Sequence, residues 1–207
     1  WWAAGNGQRF EAVGSVAGTS FLTVVTAHAD ANTKGSYAQL IASTAFDSSG
    51  FLLNVQDSSV GGRYLVDLAV GAAASEQVIV SNFHVSSGAS QQISGSLFVP
   101  IPIPVSTRIS ARAQSEFSLS RTVNVGCTLI GQGFNAQGTL QRSTTYGANT
   151  ATSGGTAIDP GATGNTKGSY AQITASTTNR CRQLGIAFGN VANATPTYCS
   201  WLFDIAV

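Results

Sequence analysis

Thr107-Arg108-Ile109-Ser110-Ala111-Arg112-Ala113-Gln114 decides the fold class. Arg108, Ser110, Arg112 and Gln114 fall on one side of an extended chain, and Ile109, Ala111 and Ala113 on the other. That two-residue period is the signature of a strand with one face on a core and one in water. Upstream, Tyr64-Leu65-Val66-Asp67-Leu68-Ala69-Val70 repeats the pattern, with Tyr64, Val66, Leu68 and Val70 opposite Leu65, Asp67 and Ala69, so Asp67 is expected to face outward.

Working outward, the same alternation broken by Gly, Ser, Asn and Asp clusters predicts strands over 20–27, 37–43, 51–56, 64–70, 76–85, 91–99, 107–114 and 122–130. No window carries a helical stripe, and 23 glycines in 207 residues disfavour long helices. Eight short antiparallel strands in about 110 residues suit an all-β, two-sheet sandwich, jelly-roll-like in topology, with an immunoglobulin-like order as the alternative. Pro100, Pro102 and Pro104 alternate with Ile101 and Ile103 and remove every second backbone donor, which places this stretch at an edge, a rim or a subunit boundary.

The unit is duplicated. Asn32-Thr33-Lys34-Gly35-Ser36-Tyr37-Ala38-Gln39 recurs letter for letter as Asn165-Thr166-Lys167-Gly168-Ser169-Tyr170-Ala171-Gln172, an offset of 133 residues that also aligns Gln8-Arg9 with Gln141-Arg142. The two lysines of the chain, Lys34 and Lys167, occupy matching positions. Further on, Tyr64 to Val70 answers to Trp201-Leu202-Phe203-Asp204-Ile205-Ala206-Val207 after a four-residue insertion. The expected organisation is an N-terminal arm over 1–19, a first sandwich over 20–133, and a linker with a second, partial copy over 134–207. Such a copy supplies about four strands, too few to bury both faces alone.

Composition excludes several classes. Charged residues are 9% of the chain, 10 Lys+Arg against 9 Asp+Glu, for a net charge of +1, which fits neither a basic nucleic-acid binder nor an acidic solvating tail. Hydrophobic residues at 43% supply ordinary packed cores, and no apolar run reaches the roughly 20 residues of a membrane-spanning helix. The sequence opens at Trp1 without Met and without a signal-peptide pattern, as expected of a processed or partial chain. Cys127, Cys181 and Cys199 are too scattered for a disulfide framework or a zinc site and are expected as free thiols.

No nucleophile elbow, phosphate-cradling loop or His-Glu-x-x-His motif occurs, so no catalytic, cofactor or metal residue is assigned. His28-Ala29-Asp30 reads as a loop-entry histidine beside a turn aspartate, and His84 as a half-exposed strand residue. Asp67 and Asp204 are copies of each other and need not share a site, which leaves a paired-carboxylate glycosidase weakly supported. Asn32 to Ser36 reads as a turn whose lysine contacts a neighbouring strand or subunit, with a ligand or receptor contact as the alternative. Candidate assembly contacts are Trp1, Trp2, Lys34, Tyr37, Lys167, Tyr170, Pro100, Pro102 and Pro104. Adjacent tryptophans on a strand point to opposite faces, so Trp1 and Trp2 read as trimmed-chain remnants or as an anchor into a neighbour.

The stretches Asn-Thr-Lys-Gly-Ser-Tyr-Ala-Gln-Leu-Ile-Ala-Ser-Thr, Tyr-Leu-Val-Asp-Leu-Ala-Val-Gly-Ala-Ala-Ala-Ser-Glu-Gln-Val-Ile-Val, Ile-Ser-Ala-Arg-Ala-Gln-Ser and Thr-Tyr-Gly-Ala-Asn-Thr-Ala-Thr-Ser resemble tandem-repeat virion structural proteins of tailed bacteriophages. The resemblance runs from about Val24 to Val207 and implies a head-decoration, cement, minor capsid or tail-fibre role without enzymatic activity. It implies virion proteins as partners, major capsid or tail proteins among them, a homo-oligomer with a trimer by analogy, and assembly in the bacterial host cytoplasm. It also implies that the second sandwich continues past Val207, so the second copy is either cut short here or completed by another chain. A lysine-poor surface fits such work, because it loses little side-chain entropy and charge solvation on burial. The alternative is a carbohydrate-binding tip for a host glycan, using Tyr146, Tyr198 and Trp201. A glycan-cleaving enzyme is disfavoured by the shortage of Glu.

Overall fold

The structure is a computed structural model that describes residues 9–14, 22–57, 62–86, 94–131, 142–148, 150–152, 155–159, 161, 163–164, 166–181, 183–186 and 203–206. Its strands are β1 (Phe10–Val13), β2 (Thr23–Thr26), β3 (Ala38–Ile41), β4 (Gly50–Asp57), β5 (Arg63–Val70), β6 (Gln77–Ser86), β7 (Ser94–Val99), β8 (Ile109–Ser115), β9 (Thr122–Ile130) and the two-residue β10 (Ser143–Thr144). The eight expected strands are β2 to β9. Added to them are β1, inside the stretch expected as an arm, and β10.

Two five-stranded sheets result. The first runs β1-β9-β4-β7, with β2 sharing the β9 edge with β1; the second runs β10-β6-β5-β8-β3. Strands β2 to β5 therefore alternate between the sheets, β6 stays beside β5, and β7 to β9 alternate back. This is jelly-roll order, and it excludes the immunoglobulin-like alternative. All ladders are antiparallel except that of β10 on β6.

The core lies between the sheets because alternate side chains of each strand meet there. Phe51, Leu53 and Val55 of β4 and Val123, Val125, Cys127 and Leu129 of β9 face Tyr64, Val66 and Leu68 of β5 and Ile109, Ala111 and Ala113 of β8. Pro100 to Pro104 leave edge strand β7 along the rim, with Ile101 and Ile103 buried, Pro102 and Pro104 exposed, and Ile103 bridged to Ser48.

The outer face of the second sheet departs from the sequence expectation. Ser110, Gln114 and Asp67 point away from the core and are nevertheless buried. Residues 32–36 run beside β8, with Asn32 N–H on the Ser115 carbonyl at 2.7 Å and Gly35 N–H on the Ala113 carbonyl at 2.8 Å. Past β10, Ala148 and Ala151 close over Leu65 of β5 as a small second cluster. Asn32 holds that cover in place: its Nδ2 donates to Thr152 Oγ1 at 2.8 Å, and its Oδ1 accepts from Thr152 N–H at 3.0 Å.

Chain contacts divide the molecule into residues 1–176 and 177–207. Among the described residues after 144 there is no strand, although the second copy was expected to supply about four. Its opening turns nevertheless keep the first copy's geometry at the same offset of 133. Gly14 and Gly147 both have positive φ, +78° and +83°. Thr23 Oγ1 donates to Gly14 O at 3.2 Å and Thr156 Oγ1 to Gly147 O at 3.5 Å. Thr33 N–H reaches Asp30 O and Thr166 N–H reaches Thr163 O, each at 3.3 Å.

Candidate functional site

The repeated Asn-Thr-Lys-Gly-Ser-Tyr motif converges on Asp67. Lys34 Nζ donates to Asp67 Oδ1 at 2.8 Å and to the Leu65 carbonyl at 3.0 Å. Arg112 of β8 donates from Nε to Asp67 Oδ2 at 2.9 Å, and its guanidinium lies 4.7 Å from the centre of the Tyr37 ring. The third donor is backbone. The β5–β6 register slips between Val66↔Phe83 and Leu68↔Val80, leaving Ser81 and Asn82 opposite Asp67. Asn82 takes a left-handed φ of +53°, which asparagine tolerates, and its N–H donates to Asp67 Oδ1 at 2.9 Å.

Burial by itself would raise the Asp67 carboxyl, but the Lys34 charge, the Asn82 N–H and the Arg112 hydrogen bond outweigh it and hold the group below its ordinary value. Burial raises the Tyr37 hydroxyl pKa, the nearby Arg112 charge opposes that rise, and the Asp67 charge adds to it. Every oxygen of the carboxylate is engaged by cations or backbone, so the cluster binds β3's approach, β5, β6 and β8 together and offers no free base. The expectation that Asp67 faces water is corrected: alternation placed it on the outer face, and the 32–36 segment covers that face.

Gly35 explains another letter of the motif. A Cβ there would stand 2.2 Å from the Thr26 carbonyl oxygen and 3.2 Å from His28 N, so the 32–36 segment passes the end of β2 too closely for any side chain. Beside it, Val24, Thr26, His28, Ser36, Tyr37 and Ser120 line an open groove of about 470 Å³. Its histidine is a turn element, as expected: His28 Nδ1 accepts from Asp30 N–H at 3.0 Å on an exposed loop. His84, half-buried on β6, is pushed down first by burial and then by Arg63.

Pro100 is half-buried, Tyr170 and Lys167 are exposed, and Trp1, Trp2, Tyr198 and Trp201 lie outside the described residues. Tyr146 follows β10 and is half-buried. Cys127 is a buried free thiol and Cys181 an exposed one; Cys199 lies outside the described residues. Among the described residues no group of three or more His, Cys, Asp or Glu could hold a metal ion.

A second feature escaped the sequence reading. The outward positions of the first sheet form five cross-strand rows, built from Phe10 and Ile130; Ala12, Thr128, Leu52 and Phe98; Gly126, Asn54 and Ser96; Val24, Asn124 and Gln56; and Thr26 and Thr122. None of these residues is charged, and Phe10 is 66% and Phe98 37% exposed. The second sheet's outer side, by contrast, holds ion pairs, Arg63 on Glu116 at 2.6 Å and Arg108 on Glu76 at 3.0 Å, besides the Asp67 cluster. The signal was legible in principle, since the letters between the apolar inward positions of β4, β7 and β9 are all uncharged.

No protein-family model and no curated protein matches the chain. Similar solved structures include the structure of the infectious bursal disease virus Gx strain, at 16% identity and a TM-score of 0.33 over 65% of this chain and 35% of that one. Another is the crystal structure of the infectious bursal disease virus VP2 subviral particle, at 13% identity and a TM-score of 0.35 over 63% and 34%. The chain spans about a third of the length of these proteins. The tailed-bacteriophage and tail-fibre expectation is corrected: no family model matches the chain, and the similar solved structures found are of infectious bursal disease virus. At this identity the likeness concerns the fold, an all-β architecture of two sheets in jelly-roll order.

Proposed function

We propose that the chain is a virion structural protein, a capsid component that works by protein–protein assembly. The observation that carries this reading is the uncharged, partly apolar outer face of the first sheet. Burying it against a neighbour leaves no charge without solvent, and its flat rows of Phe, Leu, Val, Asn and Thr suit the apolar centre of a stable interface. The ion pairs on the other sheet are satisfied internally and make no demand on a partner. Jelly rolls of this order recur in viral capsids and lectins, which supports the reading as fold-level analogy alone.

In this reading the chain associates with copies of itself and with other virion proteins through that face. Immunogold labelling of purified particles from the source, with mass spectrometry of their proteins, tests it. Regularly spaced label on the shell is expected; a chain absent from the particles overturns the reading. Leu52→Glu with Phe98→Glu puts two carboxylates on the face and is expected to abolish self-association in sedimentation velocity while the sandwich remains folded.

A further inference from the structure

His84 of β6 and Leu65 of β5 stand opposite each other in their ladder and share the outer face of the second sheet. Leu65 is fully buried, because Ala148 and Ala151 lie on it. The chain reaches that place by way of β10, whose parallel register, Ser143 on Val80 and Thr144 on Ser81, runs along β6 in the direction of His84. The His84 side chain as a whole is half-buried, but its Nε2 is buried without a hydrogen-bond partner among the described residues. A neutral imidazole tolerates that position. A protonated one would carry a charge and an N–H that have lost water and gained no acceptor.

The groups around the ring do not supply that acceptor. On β5, Arg63 lies diagonally from His84, one pair along the ladder, and its guanidinium is held by Glu116 beyond β8 at 2.6 Å. Burial above all, and Arg63 after it, hold the imidazole below its ordinary 6.5, and Glu116 opposes them less strongly. Residues 142–152 bring Tyr146 and, at their far end, the exposed Arg142, but no carboxylate. Lys34 and Arg112 of the neighbouring cluster are committed to Asp67. Strand β6 carries no other charged residue.

We propose that the segment carrying Ala148, Ala151 and Thr152 is a pH-operated cover on the second sheet, which opens when His84 takes up a proton. Opening lets water reach Nε2, whereas closure would press a cation against one leucine and two alanines. The cover is lightly held, by those two alanines and by the surface hydrogen bonds between Asn32 and Thr152. Because the imidazole takes a proton more readily in the open form, closure is at full strength above about pH 6.5 and weakens as pH falls toward the lower value of the closed form. Asp67, held below 3.8, stays ionised at the start of that fall and keeps the 32–36 segment in place while the cover leaves. The inference rests on this packing, apart from the virion reading.

The test is amide hydrogen exchange on the full chain at about pH 7.5 and about pH 5, corrected for the intrinsic pH dependence of exchange, for the native protein, His84→Gln and His28→Gln. The Thr152 amide, which donates to Asn32 Oδ1, reports on the cover; the Asn32 and Gly35 amides, which donate to β8 carbonyls, report on the segment beneath it. In the native chain and in His28→Gln, protection at Thr152 is expected to fall about fivefold or more at the lower pH, with no fall at Asn32 and Gly35. In His84→Gln protection at Thr152 should be the same at both. A fall of the same size in His84→Gln, or no fall in the native chain, overturns the proposal, and so does a matching loss at Asn32 and Gly35. Should His84→Gln not fold, the native chain decides by NMR: the His84 ring and the Thr152 amide must titrate with one midpoint below 6.5, and separate midpoints overturn the proposal.

Discussion

Lys34 and Asp67 are 33 residues apart in the chain, and the lysine Nζ lies 2.8 Å from the carboxylate Oδ1 with both side chains largely removed from water. Between them runs β8, which contributes Arg112 to the same carboxylate. The pair fastens an irregular edge segment to a central strand. Removing the carboxylate leaves a lysine and an arginine packed together without a counter-charge. Asp67→Ala is therefore expected to lower the unfolding free energy by about 3 kcal/mol, measured by denaturant titration. A loss under about 1 kcal/mol would show that the cluster is solvated.

The same contact sets an acid limit. The Asp67 carboxyl is held below its ordinary value of 3.8, so its contribution is fully present above that pH and disappears as pH falls through the lower folded value. Thermal melts of the native chain should drop below about pH 4 by a margin that Asp67→Asn, itself less stable at neutral pH, does not show. Parallel pH curves for the two would refute the assignment.

Gly35→Ala is expected to be worse than its size suggests. The added methyl meets backbone atoms of Thr26, Ala27 and His28, which have no rotamer to escape into. A loss of about 3 kcal/mol is expected, with the disturbance seen in amide shifts of β2 and β3 together. A near-neutral effect would mean that the 32–36 segment moves off the end of β2 without cost.

Burial, aided by Glu11, pushes the Cys127 thiol up to about 12. With its side chain inside the sandwich, it should resist iodoacetamide at pH 8 in the folded protein and react fully in denaturant, while exposed Cys181 reacts in both. Mass-spectrometric mapping of the modified peptides distinguishes the two.

The eight strands were legible because apolar residues recur at alternate positions along each stretch, at β2 as Val25 with Ala27 just beyond it; 122–130 is found with the expected bounds. Strand β1 was not, since Phe10-Glu11-Ala12-Val13 buries one side chain, Val13, and four residues with a single anchor give no period. Asp67 was assigned to the correct face and the wrong solvent. Alternation reports which side of a sheet a residue takes, whereas the cover over that side comes from residues 32–36, remote in sequence. The recurrence of Lys34 and Asp67 as Lys167 and Asp204 was the available clue, because two opposite charges carried together into a second copy point to a contact between them.

The proline-laced exit from β7 and the two-residue β10 on β6 have a shared effect at the margins of the sandwich. One sheet border continues into a path that lacks every second N–H, and another is already occupied by a strand too short to template anything further. A neighbouring molecule is thereby hindered from prolonging either border strand by strand, which leaves side-chain faces as the surfaces on which contact can form and come apart again.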